Sequence, residues 1–364
     1  MAFTHDDYAA AWVCALPLEL AAAKVMLNEV HPSLAQSKFD HNVYTLGAIN
    51  GHNVVIACLP AVLSHMLLTF PCLQFCLMVG IGGGVPSHSA DIRLGDVVVS
   101  MPTAISGGVI QYDYGKTLRD GLFQRTGSLN KPPQKLLTAV SQICSNYLRS
   151  GIHFGEGISD TLQKYPTMRH VFSRPSKDWL FDSSYSHSDS NSDCSTCDET
   201  HLVNRVPRVT EEPHVHYGLI ASGNQVMKDA KARDTIAQDL GILCFEMEAA
   251  GLMDQLPYLV IRGISDYCDS HKSDDWQGYA ALSAASYTKE LLNLVPWRGM
   301  AIQSHCHKGW PALQTGLLIT MPGIGYPNYS RNFHPIQRAP SITVVTPTQK
   351  KPIVHPKEPR NQGL

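Results

Sequence analysis

Two apolar runs that each end on carboxylates, Cys244-Phe245-Glu246-Met247-Glu248 and Val260-Ile261-Arg262-Gly263-Ile264-Ser265-Asp266, restrict what this chain can fold into. An alanine-rich stretch separates them. The pattern predicts a strand over 242–247, a short helix over 249–256 and a second strand over 258–264. In a strand, residues i and i+2 share a face, so Glu246 and Glu248 can point into one pocket, and the second strand delivers Asp266 at its C-terminal end. Acids on apolar elements are costly without partners, so three of them imply a site that holds something polar.

The rest of the chain extends this unit. Strands are expected over 10–15, 42–48, 53–59, 74–79, 96–100 and 216–221, with Asn50-Gly51 making a hairpin turn between the second and third. The run 74–79 ends on Gly80-Ile81-Gly82-Gly83-Gly84, read as a loop whose backbone can approach a ligand or make a tight turn. It lacks the Gly-Lys-Ser/Thr of a phosphate-binding P-loop, and it runs to Val85-Pro86 rather than into the helix of a dinucleotide-binding fingerprint. Helices are expected over 17–27, 231–240 and 279–294, the first with Pro17 in its opening turn. Strands alternating with helices predict an α/β fold with a central mixed or mostly parallel sheet covered on both faces. Residues 173–213, rich in Ser, Asp, His and Pro, read as a flexible surface insertion, and 296–364 as a mostly disordered tail.

Composition narrows the function. The chain has 364 residues, 44% hydrophobic and 16% charged, enough for a well-buried core. A formal net charge of -2 gives no electrostatic reason to expect nucleic acid or an acidic membrane as partner. Cys14, Cys58, Cys76 and Cys244 sit singly in apolar runs, a pattern of reduced thiols, and no signal peptide or membrane span is read, so a cytoplasmic location is expected.

These motifs, together with 12–19 (Trp12-Val13-Cys14-Ala15-Leu16-Pro17-Leu18-Glu19), Asp91 to Ser100, Gln111 to Lys116 and Ala221-Ser222-Gly223-Asn224-Gln225-Val226-Met227, resemble the nucleoside phosphorylase superfamily. That superfamily includes purine nucleoside phosphorylases and methylthioadenosine/S-adenosylhomocysteine nucleosidases, and the resemblance is strong to the fungal nucleoside phosphorylase-like domain of NLR-like proteins. The motifs occur in family order over residues 8–295. The resemblance implies a three-layer α/β sandwich, a purine nucleoside or nucleotide as ligand, no cofactor beyond inorganic phosphate if the chain is a phosphorylase, and a homo-oligomer.

It also implies roles. Asp266 matches the acid that protonates or hydrogen-bonds the departing purine, and general acid help is typically worth about 10²–10⁴-fold. Glu248 matches the acceptor of the ribose hydroxyls, with Glu246 beside it. Val226 and Met247 would flank base and sugar, Ile81, Gly82 and Gly83 would line the pocket, and Glu19 matches the base that activates water. Each has a plainer alternative: Asp266 capping a turn, Glu248 capping the helix that follows, Glu19 an exposed helix residue. Hexameric phosphorylases carry an arginine and a serine where this chain has Met78 and Ile81, and neither can hold phosphate, so hydrolysis is favoured over phosphorolysis.

One departure cuts the other way. After Leu59-Pro60-Ala61 the chain runs straight into 62–68, without the small-residue segment that helps shape the ribose pocket in the family. The absence leaves open a catalytically impaired binding or signalling module, or an error in the coding sequence. No metal site is assigned: Cys194-Ser195-Thr196-Cys197, with His187 and His201 nearby, has the spacing of half a zinc site and is read as a loop cysteine pair.

Overall fold

Strand β1 (Ala10–Cys14) is buried along its whole length, and its side chains alternate between two cores. Ala10, Trp12 and Cys14 enter one, and Ala11 and Val13 the other. A strand buried on both faces lies in the middle of a sheet covered on both sides. The computed structural model describes residues 3–59, 63–150, 154–187, 194–253 and 257–296. The point of the family departure (60–62) and the tail from 297 onward lie outside them.

After β1 come α1 (Pro17–Val25), β2 (Glu29–Val30), β3 (Tyr44–Ile49), β4 (His52–Cys58), α2 (Leu63–Thr69) and β5 (Phe75–Gly84). Then follow β6 (Val97–Ser100), β7 (Val109–Gln111), the ribbon strands β8 (Gly115–Thr117) and β9 (Phe123–Arg125), and the helices α3 (Gln134–Ser150), α4 (Phe154–Lys164) and α5 (Arg169–Phe172). The chain continues with β10 (Val215–Ser222), α6 (Ala230–Leu240), β11 (Ile242–Glu246), α7 (Ala249–Met253), β12 (Tyr258–Asp266) and α8 (Gln277–Leu294). The main sheet runs β11-β10-β6-β12-β5-β1-β4-β3-β2, with β7 beside β10. It is mixed, as expected: β12 lies parallel to β5 and antiparallel to β6. One core takes side chains from α1, α3, α4 and α8, and the opposite core takes them from α2 and α7.

One half of the sheet closes on itself. The far strand β11 turns back onto the end of β5, antiparallel, pairing Cys244 with Gly84 and Phe245 with Gly83. Gly80 to Gly84 are therefore strand, not the loop expected from sequence. The glycines serve close packing. A Cβ on Gly82 would lie 2.9 Å from the Phe245 carbonyl oxygen, and one on Gly84 would lie 2.8 Å from a methyl of Ile264. The Asn50-Gly51 turn holds, with φ of 50° and 84°, the left-handed pair that joins β3 to β4.

Two regions differ from the sequence reading by addition. The helices over 134–164 were not expected, although Leu136, Ala139, Val140 and Ile143 carry helical spacing and are all buried. Strands β7 to β9 are too short to give a period. Within 173–213, Leu180 and Phe181 are buried, Phe181 bridges to Leu202, and Arg205 pairs with Asp178 at 3.0 Å. No helix among the described residues is long and apolar enough to cross a membrane.

The same segment reaches a buried acid at the start of β6. Asp96 accepts from both terminal nitrogens of Arg208 at 2.7 Å, from His216 at 2.9 Å, and from the backbone of Arg93 and His214. Burial pushes its pKa up, but the bonds from Arg208 and His216 outweigh burial and bring it to about 2. A carboxyl depressed in the fold stabilises above its unfolded pKa and loses that contribution as pH falls through the folded one. Wild type should therefore lose about 2 kcal/mol through this group between about pH 4 and pH 2, and Asp96→Asn should flatten that part of the Tm–pH curve. The close contact of α8 on β12 gives a second test. A Cβ on Gly263 would meet the Ala280 carbonyl oxygen at 1.8 Å, so Gly263→Ala should cost about 1–3 kcal/mol or more in urea unfolding.

Candidate active site

Arg262 is the centre of the site, and the sequence reading gave it no role. It lies in β12, registered with Gly80 of β5 and Val98 of β6, and is 1% exposed. Its Nη2 donates to the carboxylate of Glu246 and lies 3.1 Å from Glu248 Oε2, while Nη1 donates to the Ile81 carbonyl at 3.4 Å. Burial works against its charge, but Glu246, Glu248 and Glu19 outweigh it and hold the guanidinium firmly protonated. The signal was present in sequence: an arginine inside a fully apolar strand needs buried anions.

The three glutamates converge on it from different elements. Glu246, at the end of β11, also accepts from the Glu248 and Ala249 backbone at 3.2 and 3.0 Å, and so caps α7. The helix cap therefore falls to Glu246 rather than to Glu248. Ser222, ending β10, accepts from Ala250 at 2.9 Å. Glu248 stays accessible, its side chain 27% exposed. Burial pushes its pKa up, Arg262 opposes that, and the charges of Glu246 and Glu19 add to the rise. Glu19 is buried rather than exposed. Its Oε2 accepts from Ala15 and Leu16 at 2.7 and 2.9 Å, and its Oε1 accepts from Ile81 at 2.7 Å. A Cβ on Gly80 would lie 2.3 Å from that Oε1 and 2.7 Å from Arg262 Nη1, so this glycine makes room for the ion cluster.

Asp266 ends β12, the strand that carries Arg262. The register of β12 on β5 shifts between Ile264 and Asp266, which re-aims the end of the strand. The Asp266 carboxylate accepts from Ser265 Oγ and the Cys268 backbone, both at 2.9 Å, and from Lys272 Nζ. It thus does cap the turn that follows, and it is buried and ion-paired as well. A Cβ on Gly83 would lie 2.7 Å from Asp266 Oδ1. Val226 and Met247 stand at the surface, 51% and 41% exposed. The motif around Gln111 gains a place: the Tyr112 ring packs edge-on against Phe245 at 5.3 Å, and its hydroxyl donates to the Gln225 carbonyl at 3.2 Å. The Gly223 backbone donates to the Glu246 carbonyl at 3.2 Å, which ties the 221–227 segment to the carboxylate cluster.

Residues 193–296, which include Glu246, Glu248, Arg262 and Asp266, match the sequence profile of the Phosphorylase superfamily. A nucleotide-binding leucine-rich repeat (NLR)-like protein from Hyaloscypha variabilis is 45% identical over 300 residues, covering 80% of this chain and 30% of the relative. Together these findings fit a member of the nucleoside phosphorylase superfamily. A 5′-methylthioadenosine/S-adenosylhomocysteine nucleosidase from Mycobacterium bovis is 30% identical over 90 residues, 23% of this chain and 35% of the relative. The chain thus spans about a third of the length of these curated relatives. Among solved structures, a protein from Borrelia burgdorferi assigned to the same nucleosidase class and bound to adenine aligns with a TM-score of 0.50 and 17% identity. The alignment covers 79% of this chain and all of the other, which shows a shared fold.

The stability of the carboxylate cluster depends on one guanidinium. Arg262→Met leaves Glu246 buried without its counter-ion and should cost about 3–5 kcal/mol at neutral pH. Pairing Arg262→Met with Glu246→Gln should recover part of the loss in urea unfolding. A single variant as stable as wild type would show that the pair does not hold the site.

Proposed function

We propose that this domain cleaves the N-glycosidic bond of a purine nucleoside or nucleotide, by hydrolysis rather than phosphorolysis. The observation that carries the proposal is the charge of the cluster. Glu19, Glu246, Glu248 and Asp266 stand against the cations that reach them, Arg262 and Lys272, and each cation is already ion-paired. A phosphate dianion would meet excess negative charge and no vacant cation among the described residues of the cluster. Ribose hydroxyls are donors and fit carboxylate acceptors. A cationic, oxocarbenium-like transition state is likewise favoured beside them. Met78, buried, and Ile81, half-buried, add no anion-binding group.

In this reading Glu248 accepts from the sugar hydroxyls and Met247 and Val226 flank sugar and base. Asp266, held by Lys272 and Ser265, hydrogen-bonds the base as charge moves onto it. Glu19 takes a proton from the attacking water, the hydroxyl bonds to the ribose carbon as the carbon–nitrogen bond to the base breaks, the base takes a proton from solvent by way of Asp266, and Glu19 returns its proton to solvent. No cofactor is required by these steps. One observation favours a binding-only module instead: Glu19 already accepts three backbone N–H bonds, which leaves little of its carboxylate for water.

The test is to incubate the protein with adenosine, inosine, guanosine, methylthioadenosine or ATP, with and without inorganic phosphate, and to measure free base. Release without phosphate is expected, and Asp266→Asn should lower it by about 10²–10⁴-fold. Release that needs phosphate would make the chain a phosphorylase. No release from folded protein that still binds a purine nucleoside would identify the binding module.

A further inference from the structure

The segment between Tyr185 and Asp198 contains a cluster that the nucleoside chemistry does not use. One donor atom from each of His187, Cys194 and Cys197 lies within 4.8 Å of the others, although six residues lie between the histidine and the first cysteine in sequence. Cys194 and Cys197 are thiols, not a disulfide. The Cys197 backbone donates to the Cys194 carbonyl at 3.1 Å, closing a tight turn at the Cys-x-x-Cys. A turn of this kind presents two sulfurs on one side, at the spacing structural zinc sites use.

A second, independent feature points the same way. The ring of His271, on the loop after β12, stands edge-on to His187 with centroids 5.4 Å apart. Its side chain is 4% exposed, and neither ring nitrogen has a hydrogen-bond partner among the described residues. Asp269 Oδ1, at 3.8 Å from Nδ1, is beyond hydrogen-bonding distance. A buried imidazole with idle nitrogens, near two thiols and a second imidazole, brings together the residue types that ligate zinc.

We propose that His187, Cys194 and Cys197 bind a zinc ion, with the fourth position filled by water or, after a turn of its ring, by His271. Thiolates and imidazole suit zinc in softness, and the two thiolates would neutralise its charge. The consequence reaches the candidate active site. The His187 backbone donates to Ser270 Oγ at 2.8 Å, and Cys194 Sγ lies 3.8 Å from the His271 carbonyl. The ion would therefore staple His187, Cys194 and Cys197 to residues 270–272, and Lys272 is the residue that pairs with Asp266. This site does not depend on whether the domain hydrolyses nucleosides.

The experiment uses the full chain, purified under reducing conditions without chelator. Elemental analysis by mass spectrometry after dialysis should find about one zinc per chain, and the double variant Cys194→Ser, Cys197→Ser should lose it. Exchange with cobalt(II) should give a thiolate-to-cobalt charge-transfer band and the visible bands of tetrahedral coordination in wild type. If the variant does not fold, the wild-type cobalt spectrum decides alone. Folded wild type without stoichiometric zinc and without that spectrum would overturn the proposal. So would zinc and a thiolate band that persist unchanged in the folded double variant.

Discussion

The ion pair between Arg262 and Glu246 is the interaction around which the functional end of this fold is arranged. Both side chains are nearly out of water, and such a pair survives only with good geometry and further hydrogen bonds. Those are supplied locally: Glu246 takes the N–H groups that open α7, and Arg262 reaches the Ile81 carbonyl and Glu248. The space is supplied by β5, whose Gly80 and Gly82 lack the carbons that would strike the guanidinium and its stem. Glu246 can reach Arg262 because β11 folds back onto β5 and closes that half of the sheet. Glycine strand, sheet closure and ion pair are thus one constraint seen from three sides.

Much of the fold was legible because burial on two faces writes itself into sequence. The runs that became β1, β5 and β12 are apolar without alternation, and the hairpin at Asn50-Gly51 carries its turn chemistry openly. The carboxylates were legible for a different reason, since acids on such runs demand partners. What was not legible was the partner's identity. Arg262 stood in plain view inside its motif, but only the register of β12 on β5 places it under Gly80 and between Glu246 and Glu248. The glycine run failed as a loop reading for the same reason. Its glycines answer to side chains from α1 and β12 and to the backbone of β11, and no local pattern records that. The helices over 134–164 are the opposite case: their amphipathic spacing was readable, and their buried stripe follows it.

The arrangement assigns different work to groups that look alike in sequence. Glu246 and Glu248 are two residues apart and both touch Arg262, yet one is sealed into a cap and the other remains reachable from solvent. The sealed carboxylate fixes the guanidinium. That fixed cation then limits, without abolishing, the rise that burial and neighbouring charges impose on Glu248. An acceptor with a raised pKa gains most from donors that arrive with a ligand, because hydrogen bonds to its ionised form repay the desolvation it has already undergone. Sugar hydroxyls would supply such donors, so in the proposed function the electrostatics that strain Glu248 are what the ligand relieves.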